Sequence, residues 1–301
     1  MFAQLVKRNT LIYLREKGSV FFSLLSALIV IMLMVFFLGD MSVDAISDIL
    51  AAFPGRDSAA DAENAGHFVL LWTLAGILSI NAVTVTMAVY STMITDRANG
   101  RLNSIYTLPV SRMTITAAYI CSAWLCSVMI CLATLAAAQA VCLYSGLGMF
   151  GAGTWLRLIG LVALNSFVFA AIMYCLAAVI RSPGAWSGIG TVVGTLVGFL
   201  GGIYLPIGNL SDGVAAVLKC TPVIYIAQLF RSVMTEDICR KTFDGVPEAV
   251  ETEIREFFGI DLSVFGHELT PTLSITALTV CGAAFLLLGT LLTKYARRDK
   301  R

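Results

Sequence analysis

The chain has 301 residues, of which 58% are hydrophobic and 13% are charged. Soluble domains carry about 25% charged residues. This chain therefore lacks the polar surface of a soluble globule and is predicted to be an integral membrane protein. Its net charge of +1 gives no indication of a nucleic-acid partner.

Six stretches without Asp, Glu, Lys or Arg each exceed the ~18 residues that a helix needs to cross the hydrocarbon core. Their apolar runs are continuous and lack the alternation of a barrel strand. The fold class is therefore predicted as all-α, a single transmembrane domain covering 1–301 with six transmembrane helices. The predicted spans are 19–38, 67–94, 113–144, 158–180, 185–205 and 272–293.

The basic residues divide unequally between the two sides of this topology. An even number of spans places both termini on one side, and that side collects most of the Lys and Arg residues. Such an excess marks the cytosolic face. The chain is predicted to be a multi-pass protein of the bacterial plasma (inner) membrane with both termini cytosolic. The basic residues on this side are Lys7, Arg8, Arg15, Lys17, Arg97, Arg101, Arg112, Arg181, Lys294, Arg297, Arg298, Lys300 and Arg301.

Residues 1–18 have the pattern of an amphipathic helix. Leu5, Val6 and Tyr13 fall on one face at helical spacing, with the basic residues largely elsewhere. Such a helix lies in the headgroup region of the membrane and contacts anionic lipid. The alternative, a positive flank that only sets the topology, stays open. The first span, 19–38, is too long for the core of a cleavable signal peptide and is expected to remain.

Two outer segments differ in pattern. The first, 39–66, is rich in acidic residues and contains Pro54 and Gly55, so it is predicted to be a solvated connection without a site. The second follows the fifth span. Its apolar pieces at 214–218 and 223–230 are too short to cross the membrane, and they fit re-entrant or interfacial helices.

The polar stretch 235–271, which completes the outer segment 206–271, contains one candidate helix. Pro247 suits a first helical turn and Gly259 suits a stop. The helix is predicted to act as a lid or to lie on a surface, and the role of 236–271 is left open. Its apolar stripe consists of Val250, Ile254, Phe257 and Phe258.

The fifth span carries glycine at every fourth position, namely Gly190, Gly194, Gly198 and Gly202. A stripe of this kind allows another backbone to approach closely. Packing within one bundle and contact with a second permease chain are both compatible with it.

Cysteine and histidine give no indication of a metal site or a redox centre. Six of the eight cysteines lie inside the spans, where they act as small hydrophobes. Cys220 and Cys239 are predicted to face outside, and whether they pair is left open. The only histidines, His67 and His267, are both predicted to lie at outer membrane borders.

No catalytic motif is present, and the dipeptide Gly-Lys of a P-loop occurs nowhere. The spans also lack an acidic residue for ion coupling. We therefore predict no enzyme activity, no metal and no cofactor in this chain, and any energy for work must come from another polypeptide.

The polar side chains inside the spans are few and uncharged. Asn81, Thr84 and Ser91 follow helical spacing on the second span, and Asn165 and Ser166 lie in the middle of the fourth. An unpaired amide in hydrocarbon is costly, so these groups should face other helices or a polar path. Interhelical hydrogen bonding and the lining of a substrate path remain open alternatives.

A polar segment, 95–112, separates the second and third spans on the predicted cytosolic side. Asp96 and the basic residues Arg97 and Arg101 are predicted to lie on a short helix that ends at Leu108 before Pro109. Asp96 near a helix start would complement the dipole. The two arginines, at i and i+4, would project together towards an acidic surface.

This segment carries a resemblance to a known family. Asp96-Arg97-Ala98-Asn99-Gly100-Arg101-Leu102 followed by Leu108-Pro109-Val110-Ser111-Arg112 resembles the signature of ABC-2 type transporter permeases, at the position where that family has it. The outer region from Leu205-Pro206-Ile207 through Thr221-Pro222-Val223 to Arg231 is also similar to the family. The chain departs from the pattern with Asp at 96 in place of Glu and with Arg101 after the glycine.

The resemblance implies two permease chains, identical or related, bound to two ATP-binding cassette subunits that hold Mg-ATP, in contact with membrane lipid. It implies that Asp96, Arg97, Gly100, Arg101 and Leu102 belong to a coupling helix that docks on the ATPase. Residues 108–112, that is Leu108, Pro109, Val110, Ser111 and Arg112, would turn the chain back into the third span.

The predicted function is that of a membrane permease subunit of an ATP-driven exporter, moving an amphipathic or hydrophobic compound such as a drug, an antibiotic or a lipid-like molecule. The alternative is a non-transporting membrane sensor or assembly factor that binds a ligand through 206–271.

Overall fold

The computed structural model describes residues 1–18, 21, 25, 29, 32, 39–102, 107, 109–203, 206–264 and 267–295. The predicted first span, 19–38, lies almost entirely outside the described residues. The helices are α1 (Phe2–Arg15), α2 (Gly39–Ala51), α3 (Ser58–Ala98), α4 (Arg112–Tyr144), α5 (Ala152–Val179), α6 (Pro183–Leu200), α7 (Asp212–Lys219), α8 (Pro222–Met234), α9 (Glu236–Thr242), α10 (Glu248–Phe257) and α11 (Pro271–Tyr295).

Five of these helices are long and apolar enough to cross a membrane, and they coincide with the second to sixth predicted spans. They are α3, α4, α5, α6 and α11. The chain is thus a helical, multi-pass membrane protein, as predicted. The bent pair α7 and α8 would count as one further span if it were taken as a single crossing.

Helix α3 is the centre of the fold and is longer than predicted. Its 41 residues span about 60 Å, twice the ~30 Å hydrocarbon thickness. Asp57 caps its start by accepting a hydrogen bond from the Ala59 amide at 3.0 Å. The helix contacts α1, α2, α4, α5, α6, α8 and α9, and 83% of its most apolar window is buried.

The prediction of a solvated connection at 39–66 is wrong, because most of that segment is helical. Ile46 and Leu50, four residues apart on α2, are buried against the core that α3 forms. Asp44 and Asp48 occupy the opposite, exposed face. The acidic residues thus reflect one side of an amphipathic helix rather than a loop. The predicted turn at Pro54 is correct, with Gly55 at φ +85°.

The other spans differ from prediction at their ends. Helix α5 begins at Ala152, six residues before the predicted start at 158, and its added turns carry the half-exposed Arg157. Helix α6 begins at Pro183, where Ser182 accepts a hydrogen bond from the Ala185 amide at 3.0 Å. It ends at Leu200 rather than at 205, because the chain turns at Gly201 and Gly202.

The outer segment folds into a cap beside α3, α5 and α11. Helices α7 and α8 meet at 84°, which confirms the predicted pair of short helices. Cys220 is exposed, Cys239 is buried, and both are free. Burial raises the pKa of the Cys239 thiol to about 11.

Helix α10 is amphipathic, as predicted, and its apolar side packs into the protein interior. Ile254 and Phe258 are buried, and the Phe258 carbonyl accepts a hydrogen bond from the Trp72 indole nitrogen at 2.7 Å. Pro247 takes the N-cap position rather than the first turn, and Gly259 ends the helix at φ +65°.

A two-stranded antiparallel pairing follows α10 and is a small departure from an all-helical fold. It joins Ser263–Val264 to His267–Glu268.

Candidate functional site

The polar segment 95–112 begins inside α3 rather than in a separate helix. Helix α3 continues through Ala98, and the chain then leaves it at Asn99 and Gly100, the latter at φ +73°. No glycine or proline interrupts the sequence between the second span and Gly100, so the helix has no reason to stop earlier. The expectation that Asp96 lies near a helix start is therefore wrong, because it lies in the last turn.

Asp96 is buried in a three-residue polar cluster. Its carboxylate accepts hydrogen bonds from Arg8 at 2.8 and 3.1 Å and from the Tyr119 hydroxyl at 2.9 Å, and it is 2% exposed. A carboxylate at the carbonyl end of a helix is unfavourable by itself, and the Arg8 guanidinium offsets this. The hydrogen bond with Asp96 raises the pKa of Arg8, although partial burial acts in the opposite direction.

This cluster changes the interpretation of α1. Its apolar residues Val6 and Tyr13 are buried, as the amphipathic pattern predicts, but they pack against protein. Arg8, expected among the residues that contact lipid headgroups, instead joins α1 to the end of α3. Helix α1 also packs along α4. Helix α1 therefore connects the amino-terminal part of the chain to the start of the polar segment 95–112.

Arg97 is turned towards α5 and not away from the protein. Its Nη1 donates hydrogen bonds to the carbonyl oxygens of Ala177 at 3.1 Å and Ile180 at 2.8 Å, at the carboxyl end of α5. A cation at this end satisfies free carbonyls and complements the dipole. The expectation that Arg97 and Arg101 project together is therefore wrong, since only Arg101 is exposed.

The rest of the segment returns the chain to α4. Leu102 is buried, Pro109 is exposed and Val110 packs against the core. Ser111 caps α4 by accepting a hydrogen bond from the Thr114 amide at 3.1 Å. Residues 109–112 therefore lead the chain into α4, whose first residue is Arg112. Leu108 lies outside the described residues.

A cleft of about 480 Å³ opens between α3 and α6 next to this segment. Trp186 holds the two helices together by donating a hydrogen bond from its indole nitrogen to the Met87 carbonyl at 3.2 Å. A Cβ on Gly190 would lie 3.7 Å from the Met87 side chain, an ordinary van der Waals distance. None of the lining residues is charged. They are Thr84, Met87, Ala88, Ser91, Ile94, Thr95, Pro183, Trp186, Ser187, Gly190, Thr191, Val193 and Gly194.

Two of the five predicted path residues lie in this cleft. Thr84 and Ser91, seven residues apart on α3, both line it. Their hydroxyls donate to the carbonyls of Asn81 at 3.0 Å and Ala88 at 2.6 Å. Their oxygen lone pairs are left to accept hydrogen bonds, so the wall offers acceptors without charge.

The other three predicted path residues join helices. Asn81 donates to the Thr134 hydroxyl at 2.7 Å, and Asn165 donates to the Leu78 carbonyl at 3.0 Å. Ser166 accepts from the Ser127 hydroxyl at 2.9 Å. All three are buried and none lines the cleft, so here the alternative of interhelical hydrogen bonding is the one found.

The predicted glycine stripe is shorter than its sequence repeat. Gly190 and Gly194 line the cleft, and Gly198 is buried. Gly202 follows the end of α6 and takes φ +61°, so it does not continue the stripe. A Cβ on Gly194 would meet nothing within 4 Å, so within the described part of the chain no neighbour fills this part of the cleft.

Arg231 organises the outer end of α6, a role that the sequence did not indicate. Its Nη2 donates to the carbonyls of Gly201 and Gly202 at 2.8 Å each, and its guanidinium stacks over the Trp72 ring at 4.7 Å. The side chain is fully buried. The only signal in the sequence is an arginine in an otherwise apolar helix, which is typical of a residue paired inside a bundle.

Comparison with known proteins gives one result that covers most of the chain. Residues 57–291 match the family model described as ABC-2 family transporter protein. No curated protein matches the chain. The matched range begins at the cap of α3 and ends near the end of α11, so it includes the polar segment and the cleft. The chain therefore belongs to the ABC-2 transporter family and is a membrane-spanning component of an ABC transporter.

Proposed function

We propose that the chain is the membrane subunit of an ATP-driven exporter that moves an amphipathic or hydrophobic compound, such as a drug, an antibiotic or a lipid-like molecule, out of the cell. One observation carries this proposal. The uncharged cleft between α3 and α6 lies directly beside the polar segment 95–112, which continues α3 and is held by Arg97 at the end of α5, just before α6 begins.

The family resemblance implies that the energy for transport comes from ATP hydrolysis. The chain itself has no ATPase site in this proposal, and Mg-ATP is hydrolysed by two copies of an ATP-binding cassette subunit. Both termini and the segment 95–112 face the cytosol of a bacterial cell, where that subunit is found.

The coupling surface differs from the one that the sequence motif indicates. Asp96 is buried and Arg97 is engaged with α5, so neither side chain is presented to a partner. We assign to them the task of anchoring the segment to α1 and α5. Contact with the ATPase then falls to the exposed residues Arg101 and Pro109 and to the half-buried Gly100 beside them. A push on that part would move α3 together with both anchored helices.

The cleft chemistry supports the proposed cargo. Apolar side chains such as Met87 and Trp186 lie beside the hydroxyls of Thr84 and Ser91. Such a wall suits a compound that is largely apolar with a few polar groups, because it offers dispersion contacts and hydrogen-bond acceptors. It offers no counter-charge for a small ion.

The proposal is tested by purification of the chain in mild detergent, followed by identification of every bound protein by mass. We expect an ATP-binding cassette protein with the parent chain and about ten-fold less of it with Arg101→Glu, since charge reversal removes a favourable interface pair and adds a repulsive one. The control is Arg181→Glu, an exposed arginine on the same side in the α5–α6 turn. Equal recovery with both variants would contradict the coupling surface. Absence of any ATPase from the parent preparation would contradict the transport function and favour the sensor or assembly factor.

A further inference from the structure

A second cavity, of about 760 Å³, lies at the opposite end of the bundle from the segment 95–112. It is bordered by the first turns of α5 and α11, by α8, and by the polar helices α9 and α10. Half of its wall is therefore membrane-crossing helix and half is polar outer segment. None of its residues belongs to the cleft between α3 and α6.

The side of this cavity that α5, α8 and α11 form is an apolar groove. Leu156, Gly160 and Leu164 occupy successive turns of α5, and Leu229 and Ile275 face them from α8 and α11. A Cβ on Gly160 would meet no described atom within 4 Å, so the groove has open space at this turn of α5. Leu156 is 74% exposed and Ile275 is 41% exposed. The groove is thus open on the exposed side of these two membrane-crossing helices, and its apolar lining suits an acyl chain.

The polar half carries charges of both signs in two groups. Arg157 and Arg240 share the Glu236 carboxylate, at 2.8 and 2.9 Å, so one group has two cations and one anion. Both arginines are more than half exposed and keep further N–H donors free for a ligand. In the other group Arg255 lies 3.8 Å from Glu251 and binds Asp261 at 2.6 Å. Asp261 borders a neighbouring cavity, and with it this group has one cation and two anions.

We propose that this cavity binds a phospholipid of the surrounding bilayer that has a zwitterionic headgroup. An acyl chain lies along Leu156, Gly160 and Leu164. The phosphate accepts hydrogen bonds from Arg157 and Arg240, whose planar donors suit phosphate oxygens. The amine of the headgroup lies beside Glu251, the carboxylate that Arg255 holds least closely. The apolar groove matches the acyl chain of such a lipid. The group with excess positive charge matches its phosphate, and the group with excess negative charge matches its amine.

The test uses the purified full chain in vesicles of phosphatidylcholine that contain one of three photoactivatable lipids. The lipids carry the reactive group on the acyl chain, and they are phosphatidylethanolamine, phosphatidylglycerol and diacylglycerol. After illumination, the labelled peptides are mapped by mass spectrometry. We expect phosphatidylethanolamine to label the peptide around 156–164 most strongly and diacylglycerol most weakly.

Two variants and a matched control make the test specific. Gly160→Leu fills the groove and should lower labelling by phosphatidylethanolamine about ten-fold, as steric exclusion of a bound chain predicts. Gly153→Leu, on the same helix but outside the cavity and equally free of neighbours, should label like the parent chain. Arg157→Gln combined with Arg240→Gln should reduce phosphatidylethanolamine labelling to the level of diacylglycerol.

Three results would overturn the proposal. Unchanged labelling in Gly160→Leu would show that no acyl chain lies in the groove. Equal labelling of the parent chain by diacylglycerol and phosphatidylethanolamine would exclude recognition of the phosphate. Equal labelling by phosphatidylglycerol and phosphatidylethanolamine would exclude a role of Glu251 in binding the amine. The experiment needs no ATPase and no transported compound, so its outcome is independent of the proposed transport function.

Discussion

Several charged side chains near helix ends form contacts inside the protein that the sequence pattern did not predict. Arg97 satisfies the carbonyls at the end of α5, and Arg231 does the same for α6. Arg8 neutralises Asp96 at the end of α3. In each case a cation meets a carbonyl end or the carboxylate placed there, where the helix dipole favours positive charge. Three arginines therefore connect neighbouring helices at their ends, and substitution should affect packing before it affects partner binding.

The pair Arg8 and Asp96 gives the first test at this scale. In a double-mutant cycle with Arg8→Gln and Asp96→Asn, we expect a coupling energy of about 1–2 kcal/mol in the free energy of unfolding. This is below the range for a fully buried pair, because the Arg8 side chain is 32% exposed. Unfolding is followed in detergent by loss of helical signal. Arg15→Gln, on the same helix, is the control and should show no coupling with Asp96→Asn. A coupling energy near zero for Arg8 and Asp96 would refute the role of α1 in holding the end of α3.

At the level of helices, glycine marks two different kinds of contact. On α6, Gly190 and Gly194 border a cleft that remains open. On α11, Gly282 and Gly289 allow close packing on α5, since a Cβ on Gly282 would lie 2.7 Å from the Phe167 ring and 3.4 Å from the Val168 Cα. The sequence drew attention to the first group by its four-residue repeat. The second, seven residues apart, carries no comparable signal.

The open cleft can be filled without disturbing the fold, which tests its role in transport. Gly194→Phe should project a ring into the cleft. If the chain exports amphipathic compounds with an ATPase partner, as proposed, this variant should abolish the resistance that the transporter gives to cells. Gly188→Phe is the matched control, because this glycine lies on the same helix, is free of neighbours and does not line the cleft. Both proteins must be present at equal levels in the membrane. Full resistance with Gly194→Phe would exclude the cleft as the path.

The packed glycine gives the opposite prediction, for stability rather than transport. Gly282→Leu should lower the free energy of unfolding by about 1–3 kcal/mol through overpacking, because a Cβ at this position would already lie 2.7 Å from the Phe167 ring. The midpoint of thermal unfolding in detergent measures the effect. Ala284→Leu, exposed on the same helix, adds similar volume where there is space and should change the midpoint little. Equal midpoints for the two variants would show that α11 does not depend on this close approach.

Over the whole molecule, burial is distributed very unevenly among the spans. The apolar window of α3 is 83% buried, whereas those of α6 and α11 are each 17% buried. The outer face of α11 is largely apolar, with Val280 and Leu287 more than half exposed. The exposed face of α6 also carries apolar residues, Val192 and Leu196, but they alternate with the small residues Thr191, Gly194 and Thr195. Small residues favour helix contact over lipid contact, so α6 is the better candidate for contact with a second permease chain.

Cysteine crosslinking tests this assignment. Thr195→Cys should form a disulfide between two identical chains in native membranes upon mild oxidation, if the transporter contains two copies of this chain. Leu287→Cys on α11 is the control and should remain monomeric on a gel without reductant. The parent chain sets the background from its own thiols, of which Cys220 is exposed. Crosslinking through Leu287→Cys and not through Thr195→Cys would place the partner on the other side of the bundle.

Several features were predictable because they depend on local pattern alone. The central parts of five spans follow from hydrophobic runs, and the turn at Pro54 and the stop at Gly259 follow from backbone preferences. The helix at 39–51 was missed because its acidic face dominates the composition, although Ile46 and Leu50 are spaced for burial. The site was predicted in part. Thr84 and Ser91 line the cleft, but Asp96 and Arg97 are oriented into the protein.

By itself, the sequence determined that this protein crosses a membrane several times, which segments are apolar enough to do so, and that its polar segment 95–112 resembles ABC-2 permeases. Those properties depend on composition and on neighbours along the chain. Only the tertiary structure decided that Arg8 pairs with Asp96, 88 residues away, and that Gly282 rather than Gly202 lies in a close contact between spans. The physical reason is that such contacts depend on how whole helices pack, and residues far apart in sequence share no local pattern that would reveal their proximity.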